Sequence, residues 1–317
     1  MSTTIDEKLN DDIIAKKLLE SFHAYLAPLS MFSTDYTPEA QEKGATVTVP
    51  LLSGLSASDK RNAYEEATGE MGSVQIKLSE YARATVDLDD EQYANCSSAK
   101  LENWAEDMAQ AVAEKVIRDV FALITSANYP AQVDVTPGMP ISRLIKGARK
   151  VMNTNKVPLR GRTYFPSVDA YDLLGDDPAI KIASALHYGG TEYVREGQIP
   201  RYLGFNIFES IITPDGAANG FCVHPAAIAV ATRALLPTKK EAYVESRIVK
   251  DKATGIALHF RRHYGAGVGK EFMSVECVYG FSVGRKEGIV IMPDIPAAVE
   301  PVSVTPPADA GEGKASK

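Results

Sequence analysis

Apolar residues in the first part of the chain change their period partway along. Ile5, Leu9, Ile13, Ile14, Leu18, Phe22, Tyr25 and Leu29 recur every three to five positions, the spacing of one helical face, and Thr4 with Glu7 fits a reciprocal N-terminal cap. An amphipathic N-terminal helix is predicted, followed by an irregular connection where Pro28 and Pro38 interrupt it. From Ala45 the period drops to two. Val47, Val49 and Leu51 alternate with Thr46 and Thr48, and Pro50 marks an edge position. A second run, Val74, Ile76 and Leu78, changes phase near Ser79 and resumes as Ala82, Ala84, Val86 and Leu88. The polar, glycine-containing stretch Ser53–Gly72 between the two runs predicts a long hairpin that projects from the body.

Helical spacing then returns. Leu101, Trp104, Met108, Val112, Val116 and Val120, widened by Ile117, Phe121 and Ile124, predict one helix over most of Ser98–Thr125. At ~1.5 Å per residue it would run roughly 40 Å, enough to cross a domain. Its other face, with Glu102, Glu106, Glu114, Lys115, Arg118 and Asp119, reads as solvated surface carrying i,i+4 pairs. After a joint at Pro137–Pro140 the pattern gives a helix over Ile141–Met152, a short strand over Arg162–Pro166 and a helix over Val168–Leu174. A polar, glycine-rich region at 175–204 leads into a strand over Phe205–Ile212, closed by the turn Pro214-Asp215-Gly216. Gly220–Thr232 is apolar and expected to be buried, so this region reads as an α/β subdomain around one sheet.

Residues 241–292 are β-rich. Ile256, Leu258 and Phe260 face away from Ala257, His259 and Arg261, while Met273, Val275, Cys277, Tyr279, Phe281 and Val283 form a long alternating face. Gly265, Gly267 and Gly269 between these runs suit a hairpin connection. From Pro293 onward, five prolines and a polar end predict a disordered tail.

Composition narrows the class. A chain of 317 residues with 45% hydrophobic and 24% charged residues has ordinary globular usage and room for two subdomains. Lys+Arg 34 against Asp+Glu 41 gives a net charge of -7, which lacks the overall basic excess of a dedicated nucleic-acid binder while leaving room for a local basic face. Cys96, Cys222 and Cys277 are too few and too scattered for a disulfide framework or a closed zinc site, which points to a reducing compartment. Met1–Asn10 lacks the basic-then-apolar pattern of a secretory signal, and no run of ~18 apolar residues exists to span a membrane.

Motifs that suggest chemistry fail on inspection. Gly265-Ala266-Gly267-Val268-Gly269-Lys270 lacks the glycine a phosphate loop needs at Tyr264 and the hydroxyl it needs at Glu271. His259 and His263 have zinc-helix spacing, but on a strand they stand ~13 Å apart. Asp87, Asp89, Asp90 and Glu91 would need Gly at Gln92 and Glu at Ser98 to make a calcium loop, and are read instead as acids favouring the positive end of the following helix. His23, His187 and His224 are isolated. No catalytic, cofactor-binding or metal residue is assigned, no cofactor is expected, and the chain is read as a non-enzyme.

The order of elements, together with Gly197-Gln198-Ile199-Pro200-Arg201-Tyr202-Leu203-Gly204-Phe205-Asn206-Ile207-Phe208-Glu209-Ser210 and the preceding Gly161-Arg162-Thr163-Tyr164-Phe165-Pro166 and Tyr171-Asp172-Leu173-Leu174, resembles the major capsid proteins of tailed double-stranded DNA bacteriophages. The resemblance implies an α+β fold of the Hong-Kong-97 type. Its parts would be an N-terminal arm at 1–44, an E-loop hairpin at 45–97, the spine helix and peripheral (P) domain at 98–139, an axial (A) domain at 140–239, P-domain strands at 240–292 and the tail at 293–317. It also implies self-assembly into hexamers and pentamers of an icosahedral head. Further implied partners are a scaffolding protein, a portal, a decoration protein and enclosed double-stranded DNA held without sequence-specific binding and without a membrane. The location implied is the virion shell, assembled in the host cytoplasm. Net negative charge agrees with a container that confines DNA rather than gripping it. Some relatives cross-link subunits through a Lys and an Asn, and neither position can be matched here. The alternatives are another structural phage component, of tail or decoration type, and a hydrolase with an unrecognised site.

Overall fold

The computed structural model describes residues 16–18, 20, 27–33, 46–53, 70–89, 91, 98–178, 180–181, 199, 201–209, 212–235, 243–250 and 255–296. Helix α1 (Ser98–Phe121) is buried along Ala105, Met108, Ala109, Val112, Ala113, Val116, Ile117, Val120 and Phe121. The stripe is wider than the large side chains alone predict. Alanines at 105, 109 and 113 lie in it one above another, and their small side chains let the helix axis approach the sheet it covers.

That sheet is built on one long strand, β11 (Lys270–Val283). One edge of β11 pairs along its whole first part with β3 (Glu80–Asp89). The other edge pairs first with β10 (Ala257–Gly265), which in turn pairs with β9 (Glu245–Lys250), and then with β8 (Ile228–Arg233). Met273, Val275, Cys277 and Tyr279 of β11 point at α1 together with Ala82, Leu88, Leu258 and Phe260.

A second sheet runs β12 (Ile289–Ile291), β7 (Phe221–Val223), β4 (Thr163–Phe165), β6 (Phe205–Ile207), β5 (Arg201–Tyr202), with β4 and β6 parallel and the other pairs antiparallel. Strict alternation sorts its side chains between two cores. Phe165, Phe221, Val223, Ile289 and Ile291 join the core of α1, whereas Tyr164, Cys222, Val290 and Phe205 join a second core with helices α2 (Ile141–Thr154) and α3 (Val168–Gly175). Phe165 stacks on Phe221 at 5.1 Å and on Phe32 at 6.2 Å, and Phe121 meets Phe221 edge-on at 5.3 Å. Ser167 caps α3, its hydroxyl accepting from the Ala170 N–H at 3.2 Å.

Several expectations change. The N-terminal period does not reach Leu29 as α-helix: Pro28 sits in a 3-10 turn over Ala27–Met31, and the chain then bridges to β8 through Ser33 N–H to Ile228 O at 3.2 Å. Leu29 and Phe32 are buried, so this part of the expected arm is docked on its own subunit. The expected capping box at Thr4 and Glu7 and the connection through Pro38 lie outside the described residues, as does the stretch 175–204 in large part.

No phase change occurs near Ser79. Ile76, Leu78, Ala82 and Leu88 are buried and Val74, Glu80, Ala84 and Val86 half-buried, all on even positions. What changes is the partner, since β2 (Glu70–Lys77) pairs with β1 (Thr46–Ser53) while β3 pairs with β11. The polar Glu80 at an inward position made the pattern look broken. The strand expected over Phe205–Ile212 ends at Ile207. Gly220–Thr232 is two strands in different sheets, β7 and β8, joined through a 3-10 turn at Pro225–Ala227.

The sheets also do not divide at 239/240. β8 completes the sheet of β9–β11, and β12 completes the sheet of β4–β7. The chain is not free from Pro293 either, because Asn219 Nδ2 donates to Pro293 O at 2.7 Å, Gly138 N–H donates to Pro296 O at 3.0 Å, and Ile295 packs on the second core.

Candidate assembly surfaces

Among the described residues, those that suggest chemistry in the sequence are engaged in contacts within the subunit; His23 and His187 lie outside the described residues. His259 and His263 lie on β10. Arg261 Nε donates to His259 Nδ1 at 2.9 Å, which leaves the ring proton on Nε2, 2.7 Å from Ser246 Oγ. His263 instead stacks on Phe272 at 5.2 Å. Among the described residues, no three His, Cys, Asp or Glu side chains gather as a metal would need. The Gly265–Lys270 turn directs the Val268 and Gly269 N–H groups onto Gly265 O, both at 2.9 Å, so they do not form a phosphate cradle. Asp87 is on β3 rather than ahead of a helix, and its carboxylate takes Lys270 Nζ at 2.6 Å. That contact holds the Asp87 carboxyl below its usual range and the Lys270 ammonium above its own. Cys222 and Cys277 are buried, and burial pushes the Cys277 thiol up to about 12, the reverse of an activated nucleophile. Cys96 lies outside the described residues. No helix among the described residues is long and apolar enough to cross a membrane.

The face of the β11 sheet turned away from α1 carries a polar network that sequence reasoning missed. Arg261 Nη1 is 3.2 Å from Glu276 Oε1 and 3.3 Å from Tyr243 Oη, and Arg261 Nη2 donates to Leu235 O at 3.2 Å. Tyr81 Oη donates to Glu276 Oε2 at 2.6 Å. Burial, and then the Glu276 carboxylate, push the Tyr81 hydroxyl up to about 12, while burial and then Arg261 lower His259. The network joins β3, β9, β10 and β11 to the chain leaving β8. Its sequence signal was present as polar residues at alternate positions on two adjacent strands, but that is also what a solvated face looks like.

The surfaces that remain unsatisfied are outside these networks. β1 and β2 pair through eight residues each, from Thr46↔Lys77 to Ser53↔Glu70, as a two-stranded sheet with no third strand among the described residues. The root is buried: Val47, Ile76 and Leu78 pack on Ala229, Ala231 and Val278. At that root the backbone of Lys77–Leu78 crosses Gly280 of β11 so closely that a Cβ there would lie 2.2 Å from Lys77 O. Elsewhere on the described surface, large apolar side chains stand in solvent, including Tyr81, Val244 and Ile248 on the β11 sheet, Leu159 after α2, and Val168 and Leu173 of α3. A two-stranded ribbon is marginal in water, and unpaired strand edges seek partners.

The sequence model of a family described as phage capsid protein matches residues 70–278, which takes in β2 through most of β11. The chain belongs to this phage capsid protein family. Solved structures give the fold of this capsid protein. One from Mycobacterium phage Che8 matches with TM-score 0.57 and 19% identity, covering 83% of this chain and 89% of that one. The capsid structure of cyanophage P-SCSP1u matches with TM-score 0.55 and 13% identity, covering 80% and 85%. One from Microbacterium phage Oxtober96 matches with TM-score 0.51 and 11% identity, covering 80% and 87%. The comparison with curated proteins gives no match. Family and fold agree on a phage major capsid protein with the mixed helix-and-sheet architecture that the sequence resemblance implied. The role is structural, and the protein is a component of the virion shell.

Proposed function

We propose that this subunit assembles with copies of itself into hexamers and pentamers of an icosahedral head that encloses double-stranded DNA. Scaffolding, portal and decoration proteins are its further partners, and assembly takes place in the host cytoplasm. In this reading 1–44 is the arm, 45–97 the E-loop, 98–139 the spine with part of the P-domain, 140–239 the A-domain and 240–292 the remaining P-domain strands. The β1–β2 hairpin lies across a neighbouring subunit, and the loop at 183–202 meets symmetry mates around the capsomer axis.

The observation that carries the reading is the hairpin, a ribbon anchored at its root by Val47, Ile76 and Leu78 and with no third strand among the described residues. A segment of this kind gains its missing contacts from another chain. Many such modest contacts, repeated by symmetry, add up to a strong shell. The test is deletion of Ser53–Gly72 followed by electron microscopy of the purified protein. The root stays in place, so the subunit is expected to fold while closed shells are lost; an unchanged particle yield would refute the role given to the hairpin.

A further inference from the structure

Three arginines line one small cavity that has no carboxylate among its described lining residues. Leu203 and Gly204, between β5 and β6, both have left-handed backbones, with φ of 49 and 91. This folds the strands into a tight hairpin. Arg201 thereby pairs with Asn206, whose N–H donates to Arg162 O at 3.0 Å, so the two arginines flank β6 from its two sides. Helix α2 lays Arg149 over the turn, where a Cβ on Gly204 would lie 3.8 Å from Arg149 Cζ. Arg149, Arg162 and Arg201, with Leu159, Gly204 and Phe205, line a cavity of 160 Å³.

No described carboxylate compensates the charges that line this cavity. Arg162 is 3% exposed and donates to Pro158 O at 2.9 Å, Val157 O at 2.6 Å and Asn153 Oδ1 at 2.9 Å, all neutral acceptors. Burial, and then the Arg149 charge, work against its protonated form. Arg149 and Arg201 are exposed and make no ion pair among the described residues. Positive charge also continues past the cavity. Ile141–Arg162 holds Arg143, Lys146, Arg149, Lys150, Lys156, Arg160 and Arg162 and no Asp or Glu, in a chain whose net charge is -7. Six of these seven cations are exposed.

We propose that this cavity binds a phosphate-type oxyanion, supplied in the assembled shell by the phosphodiester backbone of nucleic acid. Guanidinium forks match the geometry of a tetrahedral oxyanion, and an anion relieves the mutual repulsion of the three arginines. The number of exposed cations in the segment that carries the cavity suits a polymer of phosphates better than a single ion. The anion site stands on the cavity itself; only the choice of nucleic acid as source rests on the shell reading above.

The test uses the full-length unassembled protein and a double variant carrying Arg149→Gln and Arg201→Gln, both at exposed positions. Inorganic phosphate is compared with chloride at equal ionic strength. It is expected to raise the melting midpoint of the wild type in a saturable way and to leave the variant unmoved. A random-sequence DNA duplex is expected to displace the phosphate, with the slope of log affinity against log salt shallower by about 2 in the variant, near 0.9 per lost phosphate contact. No phosphate effect on the wild type, or an equal effect on both proteins, overturns the site. A phosphate effect confined to the wild type with identical DNA salt slopes leaves free phosphate as the occupant and overturns the nucleic-acid source. Displacement by a synthetic acidic peptide spanning 168–181 but not by DNA would make the cavity a contact between copies, and the proposal falls. Shell formation by the variant is scored separately, so loss of the anion effect with normal shells removes the site and leaves the capsid reading standing.

Discussion

Replacing Gly280 by alanine tests how firmly the projecting hairpin is tied to the body. The added Cβ would sit 2.2 Å from Lys77 O, 2.8 Å from Lys77 C and 3.1 Å from Leu78 N. All three are backbone atoms, so no side-chain rotation relieves the clash, and the crossing strands must separate by about 1 Å or more to reach ordinary contact. Two responses compete. If the root detaches, Val47, Ile76 and Leu78 leave their core, at about 1.5–3 kcal/mol for each side chain returned to water. If the root stays and the strands shift, the cost is that of overpacking, about 1–3 kcal/mol. The second is cheaper, so Gly280→Ala is expected to keep the hairpin docked while lowering the melting midpoint of the unassembled protein by roughly 2–10 °C. The six paired residues per strand beyond Val47 and Ile76 reach about 20 Å from the root, and a displacement at the base is carried outward along that lever. Shell yield in a gradient should therefore fall by more than the loss of stability explains. A variant with wild-type midpoint and wild-type particle yield would show that the crossing at Gly280 is not tight in solution and would refute the reasoning.

Two further outcomes follow from particular side chains. His259 is held neutral, accepting from Arg261, with its affinity for protons lowered by burial and then by that charge. The unfolded chain takes up a proton near pH 6.5 where the folded one resists, so stability should be full above that pH and fall as pH drops below it. His224, lowered by burial and then by Arg162 and Arg285, acts in the same direction, so His259→Gln should flatten the denaturation-derived stability curve between pH 7 and 5 only in part; an unchanged slope would contradict the assignment. Lys156 follows α2 with φ 54, in the position where the Val157 N–H reaches back to Met152 O at 3.0 Å and glycine is usual. Because Lys156 is exposed, Lys156→Gly should stabilise the protein by about 1 kcal/mol in urea titration, and a loss of stability would show that the side chain has a partner.

The elements with a long uninterrupted period are legible in the sequence. Val112, Val116 and Val120 announce α1, and Met273, Val275, Cys277 and Tyr279 announce β11, because each sits on one face of one element against one core. Reading failed where the period stayed the same and the partner changed. Even positions from Val74 to Leu88 keep one face inward while the backbone passes from β1 to β11, and nothing in the residue types marks Leu78 and Ser79 as the place where the sheets part. It failed again between Phe221 and Thr232, a continuous apolar run split between two sheets, since strands buried on both faces lose the alternation that would separate them. Hydrogen-bond partners are long-range choices, and period is a local property.

The same distinction explains why the functional surfaces were less legible than the fold. A catalytic site concentrates unusual residues at fixed spacing, and the search for such spacing here led to His259, His263, Asp87 and Lys270, all absorbed by contacts within the subunit. A shell contact asks instead for ordinary residues left without a partner: a hairpin with no third strand among the described residues, and apolar side chains such as Leu159 and Ile248 standing in water. Absence of a partner is defined only once the rest of the chain is in place. The order of elements was the chief assembly signal available in the sequence, because it is the order that leaves the β1–β2 ribbon outside while β3 to β12 close around α1.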